Sequence, residues 1–318
     1  MNQYATSIVV PIYKSEASID RLLDRISQLS NAADGLLEAV FVVDGSPDNS
    51  LEVLQAKLPN QAFDARIILL SRNFGAFSAI RAGLREASGE IAVVMAADLQ
   101  EPLSLVMNML EIVKRNEADV AVGVRQSRKD GIVPRILAAT FWKLFRRISS
   151  LELPRGGVDI FALNRSARDT VNAFQESSTS LIGLIYWMGF RRQEVPYHRE
   201  ERKEGKSSWS LQKRINYAKD SITSFSEVPL TIFLWSGLFG AAVSLVLAAI
   251  GAFQYVFASD HASNRELTAI GLLFIASYLM SGLGILGTYL WRVADNVRNR
   301  PDSITWKTWD ISAQSLAE

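Results

Sequence analysis

Cysteine is absent from the chain and histidine is scarce, with His198 and His261 the two present among 318 residues. The first absence excludes disulfides, cysteine-ligated zinc and thiol catalysis. The second speaks against a Ser-His-Asp triad or a multi-histidine metal site. Excess charge of either sign is missing too. Lys+Arg total 34 and Asp+Glu 33, so no global electrostatic term draws the chain to nucleic acid, and no nucleic-acid partner is expected. No Gly-x-Gly-x-x-Gly follows the first apolar run, which counts against a dinucleotide cofactor. Gly205-Lys206-Ser207 looks like part of a P-loop, but that motif needs glycine five residues earlier, where this chain has Glu200. The start, Met1 to Ser7, has no charged-then-apolar leader, so no signal peptide is expected.

What is present is an alternation of two periodicities. Ser7–Pro11, Ala39–Val43, Arg66–Leu70, Ile91–Met95 and Asp119–Val124 are short apolar runs that read as buried strands. Between them, Leu22/Leu23/Ile26/Leu29, Leu51/Val53/Leu54, Ala76–Ala87 and Leu103–Val113 fall at helical spacing. Strand and helix in turn predict an α/β domain with a largely parallel sheet covered on both faces. Parallel strands share a direction, so the loops at 11–16, 44–48, 71–75, 98–101 and 125–128 are expected along one sheet edge. Ligands of open α/β sheets bind there. Acids, arginines and helix N-termini at that edge suit both phosphate and sugar hydroxyls, as a nucleotide sugar would present. The fourth run ends in Asp98-Leu99-Gln100-Glu101-Pro102, where Asp98 and Gln100 supply oxygens fit for a divalent cation. An ordinary strand-to-helix turn with Asp98 as a cap is the alternative.

Regularity falls off from Phe141 to Tyr197, where Gly156–Phe161 reads as the beginning of a strand. The charged segment Arg199–Trp209 follows, and then Leu211, Ile215, Ala218, Ile222 and Phe225 form one apolar helical stripe. An amphipathic helix over 211–228 could lie on a membrane surface or pack on the domain. Leu230–Ala258 and Leu267–Trp291 contain no charged residue over 29 and 25 positions, more than the roughly 20 residues needed to cross a bilayer. The expected organisation is thus a catalytic domain at 1–210, the juxtamembrane helix, a transmembrane hairpin at 229–295, and a cytoplasmic tail at 296–318. Lys206, Lys213, Arg214 and Lys219 before the first span, with Arg292, Arg298, Arg300 and Lys307 after the second, put the domain and both termini in the cytoplasm. Gly282, Gly284 and Gly287 offer a small-residue face through which the spans could form a homo-oligomer.

Several motifs, in order from Ser7 to Pro301, resemble one family. They are Val9-Val-Pro-Ile-Tyr13 with Glu16, Val43-Asp-Gly-Ser46 with Asp48, Ser71-Arg-Asn-Phe-Gly75, Ala82-Gly-Leu84 with Gly89, and Asp159 in Gly157–Arg165. Further on come Arg199-x-x-Arg202-x-x-Gly205-x-Ser207-x-Trp209 and Ile222-Thr-Ser-Phe-Ser226 with Pro229-Leu230. The chain thereby resembles the polyprenyl-phosphate glycosyltransferases of family 2, with a GT-A (Rossmann-like) fold, which include dolichyl-phosphate mannose synthases and bactoprenol glucosyltransferases. Four positions depart from the pattern. Ala96 replaces the first acid of D-x-D, Val43 the first acid of D-D-G-S, Phe161 a common arginine and Ser208 a lysine.

The resemblance implies a membrane-bound inverting transfer of a hexose from a UDP-glucose or GDP-mannose type donor to polyprenyl phosphate. The product would be a lipid-linked sugar for cell-envelope glycan modification, made at the bacterial inner membrane. It implies donor contacts at Pro11, Tyr13, Glu16, Asp44, Ser46, Arg72, Gly75 and Asp98. Arg125, Arg128, Arg199, Arg202, Ser207 and Trp209 are implied as acceptor or phosphate contacts. Asp98, Asp159, Arg199 and Arg202 are the catalytic candidates, Asp159 as base or sugar ligand if it is not a helix cap or buried structural acid. Magnesium or manganese is implied at Asp98 and Gln100, with one carboxylate fewer than the family supplies. Two rivals remain: a noncatalytic membrane scaffold of the same fold, and a transferase with another lipid acceptor.

Overall fold

The computed structural model describes residues 4–32, 36–126, 154, 158–174, 176, 180–199, 226, 228–257, 265–298 and 300–313. Eight strands form one sheet, in the order Arg192–Tyr197, Val120–Arg125, Val158–Asn164, Ile91–Val94, Thr6–Ile12, Leu37–Val43, Asp64–Leu70 and Thr305–Ile311. Strands β1 (Thr6–Ile12), β2 (Leu37–Val43), β3 (Asp64–Leu70), β4 (Ile91–Val94) and β5 (Val120–Arg125) are the five expected apolar runs, with boundaries that differ by one or two residues. Every residue of β2 is buried, as a strand covered on both faces requires. Alternate side chains build two cores. Ile8, Val10, Phe41, Ile67 and Val93 meet Leu22 and Ile26 of α1 (Ile19–Ala32), Leu54 of α2 (Ser50–Lys57) and Met109 of α4 (Leu103–Lys114). Val9, Val42, Val94 and Phe161 meet Ile80 and Leu84 of α3 (Ala76–Glu86) on the other face. A Cβ on Gly83 of α3 would lie 2.4 Å from Val9, so only glycine lets this helix seat directly on β1.

The less regular stretch after Phe141 holds, among its described residues, β6 (Val158–Asn164), α5 (Arg165–Ala173), α6 (Leu181–Trp187) and β7 (Arg192–Tyr197). Strand β6 runs antiparallel between β4 and β5, so the sheet is mixed although mostly parallel in direction. Phe161, at a position where the family commonly has arginine, is 1% exposed and pairs in register with Val94 and Val122. The aromatic ring fills this buried position in the second core.

Two long helices follow, α7 (Val228–Phe257) and α8 (Arg265–Val297). Phe233 stacks on Tyr278 with centroids 4.7 Å apart, and the Tyr278 hydroxyl donates to the Phe233 carbonyl at 2.5 Å. Tyr289 donates to the Ser226 carbonyl at 2.7 Å, so the helices run antiparallel. Phe274–Val297 is one segment long and apolar enough to cross a membrane, and Phe274, Leu283 and Leu290 are each more than 60% exposed. Gly282 of the expected small-residue face receives the Phe233 ring, whereas nothing approaches Gly284 or Gly287 among the described residues. The amphipathic stripe 211–225 lies outside the described residues.

The segment after α8, expected as a cytoplasmic tail at 296–318, contains a strand. Thr305–Ile311 is β8, pairing antiparallel with β3 from Ala65–Ile311 to Leu70–Thr305. Its Thr-Trp-Lys-Thr-Trp-Asp-Ile sequence is rich in β-branched and aromatic residues, and Trp309 and Ile311 pack on the first core. The catalytic domain is therefore discontinuous, closed by residues that lie beyond the long helices.

Candidate active site

Sheet direction brings the carboxyl ends of β1, β2, β3, β4, β5 and β7 to one edge. The amino end of the antiparallel β6 joins them there. The Asp44 carboxylate is 2% exposed. It accepts from the Phe74 N–H at 2.7 Å and the Gly75 N–H at 2.9 Å. The Asn73 side chain donates to the Asp44 carbonyl at 3.1 Å. Asp44 thus holds the 71–75 loop at the start of α3 and acts as a latch between β2 and β3. Gly45 has φ +55°, and a Cβ there would fall 2.5 Å from the Arg72 carbonyl carbon. The glycine of this motif is dictated by conformation and by close approach together.

A second latch joins the first two loops. Ser46 Oγ accepts from the Lys14 N–H at 2.7 Å and donates to Asp48 at 2.6 Å. Asp48 also accepts from the Glu16 N–H at 3.1 Å and the Ser50 hydroxyl at 2.7 Å. Burial raises the Asp48 pKa, but hydrogen bonds from Ser46, Ser50 and the Glu16 backbone outweigh it and hold the group below its ordinary value. Glu16 in turn accepts from the Asn49 N–H at 3.1 Å and from its side-chain amide. Glu16 and Ser46, expected on the donor, also tie the first two loops together through these bonds. Pro11 and Tyr13 border this latch and are half-buried. Arg72 is exposed, with its guanidinium 4.1 Å over the Phe74 ring, available at the loop surface.

Asp98 sits just past β4, 23% exposed, with Oδ2 3.8 Å from Arg199 Nη2. Arg199, in the segment following β7, is 29% exposed, and its Nε is buried without a hydrogen-bond partner among the described residues. Leu99 beside Asp98 is 3% exposed and has φ +56°, a conformation L side chains rarely adopt. Burial of the leucine in the first core offsets that strain and keeps Asp98 at the edge. Gln100 is 8% and Glu101 1% exposed, so Asp98 is the accessible carboxylate of this turn and Gln100 is less open to a cation than expected. No cluster of three or more His, Asp or Glu suited to a metal occurs among the described residues. The donor set fits a cation that takes one carboxylate and completes its shell from substrate phosphates and water.

Arg125 ends β5 in register with Tyr197 of β7, and the Gln126 N–H donates to the Tyr197 carbonyl at 3.0 Å. The structure therefore joins Arg125 to the chain that leads directly into Arg199. Continuing the antiparallel β4–β6 register past Val94–Phe161 puts Asp159 level with Ala96. Arg128, Arg202, Ser207 and Trp209 lie outside the described residues. Sequence reasoning missed Asp302, Arg81 and Arg85, whose ion pairs bind the chain beyond α8 to the helix that starts at the Asp44 latch.

Proteins of known sequence are similar to this chain along almost its whole length. A Bacillus subtilis (strain 168) protein named an uncharacterized glycosyltransferase is 31% identical over 98% of this chain and 96% of its own length. The SfII prophage-derived bactoprenol glucosyl transferase of Shigella flexneri is 29% identical over 95% of this chain and 97% of its own. An undecaprenyl-phosphate 4-deoxy-4-formamido-L-arabinose transferase of Yersinia pestis (strain Pestoides F) is 30% identical, covering 93% of this chain and 90% of its own. The family model for glycosyl transferase family 2 matches residues 7–172, which span β1 to α5 and every latch described above. The chain belongs to glycosyl transferase family 2.

Proposed function

We propose that this glycosyltransferase moves a hexose from a nucleotide diphosphate sugar to polyprenyl phosphate at a bilayer, inverting the anomeric centre by direct displacement. The observation that carries the reading is the Asp98–Arg199 pair, an accessible acid and an arginine with an unspent donor at the sheet edge. Arg199 opens an arginine-bearing segment that precedes the apolar helices in the sequence, which suits a donor and a lipid acceptor meeting at this pair. The names of the Shigella and Yersinia relatives support the acceptor class.

Asp98 would hold the cation, which supplies charge neutralisation on the departing diphosphate when bound. Arg199 releases Asp98 and gives its guanidinium to a phosphate oxygen, where a fixed positive charge stabilises the developing anion. The acceptor phosphate is already ionised near neutral pH, so it needs little help from a general base. Asp159, near the amino end of β6, would contact the sugar or its incoming nucleophile. Arg125 would supply charge from the neighbouring strand, with Arg202, Ser207 and Trp209 as further candidates for the acceptor phosphate.

Two spans complete the reading. Helices of 30 and 33 residues with exposed apolar side chains need a nonpolar surround. The β3–β8 pairing supports an even number of crossings, with the catalytic domain cytoplasmic. The test is purified protein in liposomes with undecaprenyl phosphate and a panel of nucleotide sugars, scored by nucleotide release and lipid extraction. One donor should give a lipid-linked sugar with wild type and none with Asp98→Ala. Transfer retained by that variant would remove Asp98 from the site.

A further inference from the structure

We propose that the chain returning from the long helices, Pro301–Ile311, is a strut that sets the position of the donor site relative to the bilayer, with Asp302 as its positioning residue. The proposal rests on the membrane reading above. Helix α8 ends at Val297, and five residues later the Asp302 carboxylate is gripped from α3. Arg85 binds it through both nitrogens, Nη1–Oδ1 at 2.7 Å and Nη2–Oδ2 at 2.9 Å. Arg81 Nε approaches Oδ2 at 3.1 Å, an ion pair at a poor hydrogen-bonding angle. Asp302 and Arg81 side chains are only 5% and 6% exposed. Arg81 also donates to the carbonyls of Glu176 and Phe174, so the grip is braced against the segment after α5.

The same return segment touches the donor side directly. The Ser71 N–H donates to the Ile304 carbonyl at 2.9 Å, and Ser71 opens the loop that Asp44 latches. Beyond it β8 pairs along β3, Arg66 binds Asp310 at 2.5 Å, and the Ala313 N–H donates to Asp64 at 2.6 Å. A surface tail needs none of these contacts. A bidentate guanidinium–carboxylate pair fixes orientation as well as distance. Burying charge is poor evidence of stabilisation by itself, so the pair is better read as a register device. Seven residues separate Val297 from Ile304 and reach at most about 25 Å, so the end of α8 and the start of the donor loop are held within one short, anchored span. A lipid phosphate stays at the headgroup plane, and a fixed donor height is what transfer to it demands.

The test is a six-residue Gly-Ser insertion between Arg300 and Pro301 of the full chain, which leaves β8 and Asp302 in place and loosens only their link to α8. Donor KM, thermal stability, and transfer to two acceptors are measured: long polyprenyl phosphate in liposomes and a water-soluble short-chain prenyl phosphate. The expected result is unchanged donor KM, stability and soluble-acceptor rate, with the liposome rate lower by about tenfold or more. Unchanged liposome transfer would overturn the proposal, and so would equal loss on both acceptors. Wild type inactive on both acceptors would instead remove the acceptor assignment on which the strut rests.

Discussion

Asp44 shows how a residue of a sequence motif can be tied into the fold of the loops around it. Its two carboxylate oxygens are spent on the N–H groups of Phe74 and Gly75, so it shapes the loop that frames the donor. Asp44→Ala leaves both N–H groups without their acceptor, at a cost of about 1–3 kcal/mol for each. The expected outcome is a lower melting temperature together with a raised donor KM, read by calorimetry and nucleotide-release kinetics. Gly45→Ala is the companion case. It places a side chain at φ +55° and 2.5 Å from backbone, which costs about 1–3 kcal/mol in strain before the overlap is relieved. Its melting temperature should fall further than that of Ala82→Gly on the neighbouring helix. The sequence shows that Asp-Gly-Ser is a strand-end turn. It does not show which acid faces ligand and which faces backbone, because burial at the turn is decided by the 71–75 loop some thirty residues away.

At the scale of elements, the apolar runs of β1 to β5 were legible because a strand covered on both faces must be continuously hydrophobic. Strand β8 carried an equally readable β-branched and aromatic pattern. Its position after two long apolar helices favoured reading it as tail, and pairing over more than two hundred residues leaves no local trace. Asp302→Ala tests what that pairing contributes. It leaves Arg81 buried without its carboxylate, a change expected to cost about 3–5 kcal/mol. Asp302→Asn should cost less, and thermal melts of the two would show the order. The loop latch gives a pH prediction. Asp48 has its pKa held below the ordinary value by Ser46, Ser50 and the Glu16 backbone. A depressed carboxylate contributes stability that is present above its unfolded pKa and lost as pH falls through the folded one. Acid melting curves of Asp48→Asn should therefore be flatter than wild type on the acid side and lie below it at neutral pH.

For the whole molecule, the decisive fact is that the sheet is closed by strands from both sides of the helix pair. The edge-loop arrangement followed from the sequence, since parallel strands share a direction, but the meeting of Asp98 with Arg199 required β7 to lie parallel against β5. Nothing in the irregular stretch around 141–197 specifies that neighbour. The β3–β8 pairing has a stricter consequence: residues on either side of α7 and α8 occupy one compartment, so crossings of a bilayer must come in pairs. The absence of native cysteine makes this directly measurable. Lys57→Cys and Trp306→Cys sit at exposed positions on α2 and β8. In sealed, oriented vesicles a membrane-impermeant thiol reagent should label both from the same side. Ser263→Cys, between the two apolar helices, should be labelled from the other side alone. Labelling of all three from one side would mean that the helices lie along the membrane or apart from it. A split between Lys57→Cys and Trp306→Cys would contradict the sheet itself.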